Sequence, residues 1–409
     1  MNDYLHRWPA GILSQVARVN PAVVLMGARQ TGKSTLVRSE PSLADRPYFT
    51  LDDLGTRDSA VTDADKLVRG APRMTIDEIQ REPELILAVK RAIDDSPERT
   101  PGRFVLTGSA NLLLMRRVNE TLAGRASYVT LWPLTRRERL GLGTCGIWGT
   151  LLASPRQDWY DLVRGQQAPQ ADWREQARIG GYPVPALRLS TQTERSLWFD
   201  GYVRTYLERD LPDLAALESL IDFRRLMRAA CLRIGNLVNQ TELGRDTEIP
   251  RPTVHRYLDL LETSFQLVRL PAYSINRTKR LIKSPKVYWN DTGLALSLGG
   301  LSEPTGAHFE NLVLVDLLAW RDGLVPRPEV LYWRTANGSE VDFVIEDRDR
   351  LMAIEVKSSA RLSPRYARGL IEFRDEYPDQ FVGGLLLHTG DEVRWLAEGI
   401  LAAPWYKVL

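Results

Sequence analysis

The stretch GARQTGKST, residues 27–35, constrains this chain more than any other part of it. Gly27, four residues, then Gly32, Lys33 and Ser34 complete a phosphate-loop pattern, with the apolar run AVVLM before it and a helix-forming run after it. Such a loop works at the seam between a buried strand and the start of a helix, so it calls for a parallel sheet with helices on both faces. The residues that would surround a nucleotide are Gly27, Ala28, Arg29, Gln30, Thr31, Gly32, Lys33, Ser34 and Thr35. The two glycines let successive N–H groups turn inward on a β-phosphate, and the helix beginning near Lys33 aims its positive end at the same anion. Lys33 brings a mobile charge to the β- and γ-phosphates, and Ser34 offers a hydroxyl to Mg²⁺. ATP and Mg²⁺ are the expected cofactors. The competing reading is a glycine-rich turn with a surface lysine.

A phosphate loop needs a carboxylate partner, and RMTIDEIQ supplies one. Met74 to Ile76 read as a strand ending in Asp77, which would help hold Mg²⁺, and Glu78, which would orient and deprotonate water. The strand YFTLDD is expected between loop and carboxylates, and FVLTGS at 104–109 is a further strand whose Thr107 and Ser109 would reach the γ-phosphate or the attacking water. Arg125 precedes another strand and is a candidate arginine finger, toward its own nucleotide or that of a neighbouring copy, which would imply a homo-oligomer. A local ion pair is the alternative role for Arg125.

The 409 residues suggest two or three domains. No apolar run approaches the roughly 20 residues that span a bilayer, and the start lacks the order of a signal peptide, so no membrane partner and a cytoplasmic location are expected. Two cysteines and four histidines argue against a disulfide framework or a structural zinc site.

Residues 212–265 shift to helical spacing, and LVNQTELGRDTEIPRPTVHRYLDLLETSFQLVRL reads as helix, turn, helix. In a helix-turn-helix this would bring Arg251, Thr253, His255 and Arg256 nearest to DNA bases. From Ser264 to Asn290 there is no acidic residue, while Arg269, Arg277, Lys279, Arg280, Lys283 and Lys286 all fall there. A basic strand pair in this place reads as a wing that neutralises phosphates. A protein-contact module or ordinary solvated surface would show the same pattern.

Further on, in SEVDFVIEDRDRLMAIEVKSS, alternation sets Val341, Phe343 and Ile345 on one face of a strand and Ile354 and Val356 on one face of the next. Asp342, Glu355 and Lys357 take the opposite faces. This resembles the PD-(D/E)xK nuclease pattern, with EVD in place of the proline–aspartate pair. Asp342 and Glu355 would hold a metal ion, Lys357 would steady an attacking hydroxide, and Glu310 in HFENLVLVDLL matches an extra acidic residue of that fold. A polar face with a Glu–Lys pair is the plain alternative.

Taken in order, GARQTGKST, TIDEIQ, LTGSANLLL, LAGR, LWPLTRRE, GGYP, YVRTYLERDL, FENLVLVDLL, EVDFVI and IEVKSS resemble the bacterial and archaeal AAA-type ATPases that carry a DUF4143 C-terminal region. The resemblance implies an ATPase region at 1–135, a helical connection at 136–210, a winged-helix-like unit at 211–295 and an α/β restriction-endonuclease-like domain at 296–409. It implies ATP hydrolysis joined to a DNA-binding and nuclease-like region acting in DNA metabolism or defence. The alternative is an ATP-gated switch that signals to protein partners and cuts nothing.

Overall fold

The computed structural model describes residues 4–108, 121–211 and 217–409. Five strands, β1 (Ala22–Met26), β2 (Tyr48–Thr50), β3 (Met74–Asp77), β4 (Phe104–Thr107) and β5 (Ala126–Thr130), form a sheet in the order β2-β3-β4-β1-β5. All its pairings are parallel. Such strands are buried on both faces, which is why AVVLM, MTID and FVLT read as nearly continuous apolar runs. Ala22, Val24, Ile76 and Leu106 pack with the helix Leu85–Asp94 on one side. Val23, Leu25 and Val105 pack with Ala10–Val16 and Lys33–Ser39 on the other.

The segment expected as a connection is packed rather than linking. Trp148 and Trp159 are fully buried and Trp173 nearly so, and they belong to one core that runs on through the helices of the middle region into the C-terminal sheet. A buried tryptophan removes far more apolar surface from water than a linker residue could, so this segment contributes to the core.

The helices Gln240–Thr247 and Arg251–Thr263 are joined by a short turn with Glu248 in the left-handed region. Behind them β6 (Leu267–Leu270) pairs antiparallel with β7 (Lys286–Trp289). The expected basic wing is therefore corrected in part: the strand pair exists, but a helix, Arg277–Ile282, stands between its strands, started by the Asn276 side chain accepting from Thr278 and Lys279.

The C-terminal sheet holds β8 (Glu329–Arg334), β9 (Glu340–Asp347), β10 (Arg350–Lys357), β11 (Phe381–His388), β12 (Arg394–Ala397) and β13 (Ile400–Pro404) in the order β12-β13-β11-β10-β9-β8. The helix Gly306–Asp322 covers one face, with Phe343, Ile345, Ile354 and Val356 in the large core. Val341 departs from the expected face and packs on the opposite side with Val344 and Ala353. A register shift in the β8–β9 pairing, where Trp333 meets Val341, accounts for this.

Candidate nucleotide site and carboxylate pocket

Gly27 has a φ of 145°, and a Cβ there would stand 2.2 Å from the Leu131 carbonyl oxygen, so glycine is required. Gly32, at φ 97°, starts the helix Lys33–Ser39. Lys33 is buried and its Nζ donates to the carbonyls of Gly27 at 3.0 Å and Ala28 at 2.8 Å. Burial lowers its pKa to about 8, against the opposing pull of Glu78 and Asp77. Thr31 ties the loop to itself by donating to the Ala28 carbonyl at 3.0 Å.

The strand order leaves β4 between the loop strand and β3, so the carboxylates reach the site from one strand away. Asp77 is buried and accepts from the hydroxyls of Tyr48 and Thr107 and from the backbone N–H of Glu78 at 3.0 Å. Thr107 thus orients the aspartate. Glu78 stands at φ 58°, an uncommon conformation for a long side chain. Burial and the Asp77 charge raise the Glu78 carboxyl above its ordinary value, which suits a base, and Gln80 donates to it. Ser109 lies outside the described residues.

Arg125 is corrected as a finger to its own nucleotide. It precedes the first residue of β5, whose Ala126 is paired with Ala22, whereas the loop follows Met26 at the other end of β1. Five residues of strand, about 16 Å, separate the two ends. Its guanidinium forms a two-pronged pair with Asp94, at 2.6 and 3.0 Å.

Three side chains that the motif did not disclose hold the loop from outside. Buried Arg7 donates to the carbonyls of Thr31 at 3.0 Å and Trp132 at 2.8 Å and pairs with Glu138 at 3.1 Å. Tyr202 donates to the Arg29 carbonyl at 3.3 Å. Pro183 of the GGYP stretch lies 3.7 Å from where a Cβ of Gly32 would be. Tyr202 ends one helix and opens the wide, π-type turns Val203–Asp210, a geometry frequent at functional sites.

Among the expected DNA contacts, Arg251, His255 and Arg256 are exposed and Thr253 is half-buried. His255 pairs with Asp259 at 3.3 Å and Arg256 with Glu218 at 3.2 Å. Arg277, Lys279 and Lys283 are exposed. Arg280 and Lys286 are corrected as phosphate contacts: both are buried, Arg280 against Glu329 at 2.8 Å and Glu346, Lys286 against Glu340 and, at 3.6 Å, Asp342.

Lys286 stands inside the C-terminal carboxylate cluster. There Asp342 of β9 accepts from the Val356 N–H at 2.9 Å, Glu355 and Lys357 of β10 pair with each other, and Glu310 accepts from the Tyr288 hydroxyl at 3.1 Å. Burial and the Asp342 charge push Glu355 up to about 8 and hold Glu310 well above its ordinary value. The four nuclease-type residues are thus brought together as expected. Among the described residues, no group of three or more His, Cys, Asp or Glu is arranged to hold a metal ion. Lys286 and Lys357 take up the charge of the carboxylates that an ion would need.

Among the described residues, no helix is long and apolar enough to cross a membrane. Residues 19–140 match the AAA domain family, 170–305 match a domain of unknown function, DUF8612, and 305–408 match another, DUF4143. An uncharacterized protein of Mycobacterium tuberculosis is 30% identical over 400 residues, which span 95% of this chain and 81% of the relative. An uncharacterized protein of Mycobacterium bovis gives the same values. Among solved structures, a Walker-type ATPase of Pyrococcus abyssi is 18% identical with a TM-score of 0.44, covering 72% of this chain and 96% of that one. The chain therefore belongs to the family of AAA-domain proteins with a DUF4143 C-terminal region, together with these mycobacterial relatives.

Proposed function

We propose that the chain binds and hydrolyses Mg-ATP and uses the cycle to control a DNA-contacting C-terminal half. The observation that carries this reading is Glu78, held at positive φ beside Asp77 with its carboxyl shifted upward, one strand away from a complete phosphate loop. Ser34 and Asp77 would hold Mg²⁺, a donor set of one hydroxyl and one carboxylate that leaves places for phosphate oxygens and water. Lys33 would neutralise phosphate charge and Glu78 would take the proton of the attacking water. The exposed Arg251, Arg277, Lys279 and Lys283 support contact with a nucleic-acid backbone.

A second reading is an ATP-gated regulatory switch with protein partners and an inactive nuclease-like region. It is favoured by Lys286 lying within the carboxylate pocket. One assay separates the two: purified chain with Mg²⁺ and duplex or single-stranded DNA, with and without ATP, followed for phosphate release, DNA binding and strand cleavage. Phosphate release absent from wild type sinks both readings. Release without DNA binding leaves the switch.

A further inference from the structure

We propose that Lys286 is the resident cation of the C-terminal carboxylate pocket, a clasp by which β7 of the middle region closes the place a divalent ion would need. This deepens the regulatory-switch reading and rests on it only for its purpose.

The charges show the arrangement. Glu310, Glu340, Asp342 and Glu355 surround the pocket, and the Lys286 side chain, 3% exposed, reaches Glu340 and Asp342. Lys357 occupies Glu355 from the other side, leaving the second Glu355 oxygen, Oε2, buried without a hydrogen-bond partner. A metal ion set between Asp342 and Glu355 would share Asp342 with an ammonium that burial shields from water, and the like charges would repel. The same ammonium, if it lost these carboxylates, would be stranded in the interior.

The strand that brings Lys286 is fixed along its length. Trp289 donates its N–H to the Asn311 side chain at 2.8 Å and accepts from it at 2.7 Å, and Tyr288 donates to Glu310. The Tyr332 ring stands 5.7 Å from the Lys286 ammonium, and its hydroxyl donates to the Ser284 carbonyl. At the far end of β7 the Asn290 amide donates to the Tyr182 hydroxyl at 3.0 Å, which in turn donates to Tyr202 at 3.1 Å, the residue that touches the phosphate loop. The clasp therefore lies on a strand whose other end is bonded toward the nucleotide site.

The test uses the full chain, nucleotide-free, titrated with Mn²⁺ and followed by the electron-spin signal of the free ion. Wild type should show no Mn²⁺ binding that Asp342→Asn abolishes. Lys286→Met, similar in volume and without charge, should gain one site at least ten-fold tighter than any in wild type, and adding Asp342→Asn should remove it. Asp342-dependent binding of equal strength in wild type and Lys286→Met overturns the clasp, as does a folded Lys286→Met chain that gains nothing. If Lys286→Met does not fold, the double variant decides: adding Asp342→Asn should restore a cooperative melting transition, and a double variant that stays unfolded overturns the proposal. Phosphate release from ATP by wild type is followed in parallel, so failure of the ATPase reading is seen separately from failure of the clasp.

Discussion

The Tyr202 hydroxyl donates to the carbonyl of Arg29, so a side chain of the middle region is hydrogen-bonded to the phosphate loop. Tyr202 also accepts from Gln266 at 3.2 Å and from Tyr182, which makes its oxygen a junction between the residue preceding β6, the GGYP stretch and the loop. Removing only that oxygen, in Tyr202→Phe, should raise the KM for ATP by about 2- to 10-fold, the range of one neutral hydrogen bond of about 0.5–1.5 kcal/mol. The melting temperature should fall as well, because Gln266 loses a buried acceptor. Steady-state kinetics with a melting curve check this; an unchanged KM would mean that the Tyr202 bond does not shape the loop for nucleotide.

Glu78 combines backbone strain with its proposed role in turnover, and these can be pulled apart. In Glu78→Gln, ATP binding should persist while hydrolysis falls by two or more orders of magnitude, since general-base catalysis contributes about 10²–10⁴-fold. Glu78→Gly should also be inactive, yet relief of the left-handed conformation should stabilise the ATPase region by about 1 kcal/mol. Hydrolysis at the wild-type rate in Glu78→Gln would remove Glu78 from the mechanism.

The phosphate loop and the carboxylates of β3 were legible because each is a short-range pattern fixed by backbone geometry. Asp342, Glu355 and Lys357 were legible for the same reason, as alternation along two strands. Lys286 was misread because its sequence neighbours are cationic and apolar, whereas the carboxylates that enclose it come from residues 310–355, far along the chain. Arg280 follows the same logic with Glu329 and Glu346. Arg7 carries no motif, and Tyr202 opens YVRTYLERDL without that stretch naming its partner; their bonds to the loop exist only once the regions dock.

Lys33 predicts a pH dependence whose sign follows from its lowered pKa. Below about pH 8 the ammonium is charged and would meet the phosphates; above it the free chain loses that proton. Bound phosphate favours the charged form, so ATP affinity should decline as pH rises through about 8, with proton uptake on binding above that. In the nucleotide-free chain the unfolded state holds the lysine proton more tightly than the folded state. This contribution to stability therefore increases between about pH 8 and 10.5, toward the value of an unburdened neutral amine. Calorimetry of ATP binding at several pH values, in buffers of different ionisation enthalpy, checks the proton count. A count of zero throughout would place the Lys33 titration elsewhere.

The basic stretch should divide into two kinds of cation. Arg277, Lys279 and Lys283 are exposed, and changing all three to glutamine should lower the salt slope of duplex binding by about 2–3, near 0.9 for each phosphate no longer neutralised. Arg280→Gln should leave that slope unchanged. Its guanidinium is held by Glu329, Glu346 and, at 2.7 Å, the Ser274 carbonyl, over the ring of Tyr273, so its loss should cost roughly 3 kcal/mol of stability. Duplex binding measured across a salt series, with melting of each variant, tests both halves. An unaltered slope in the triple variant would assign the exposed cations to a protein surface, because a nucleic-acid backbone is the partner whose counterions they would have released.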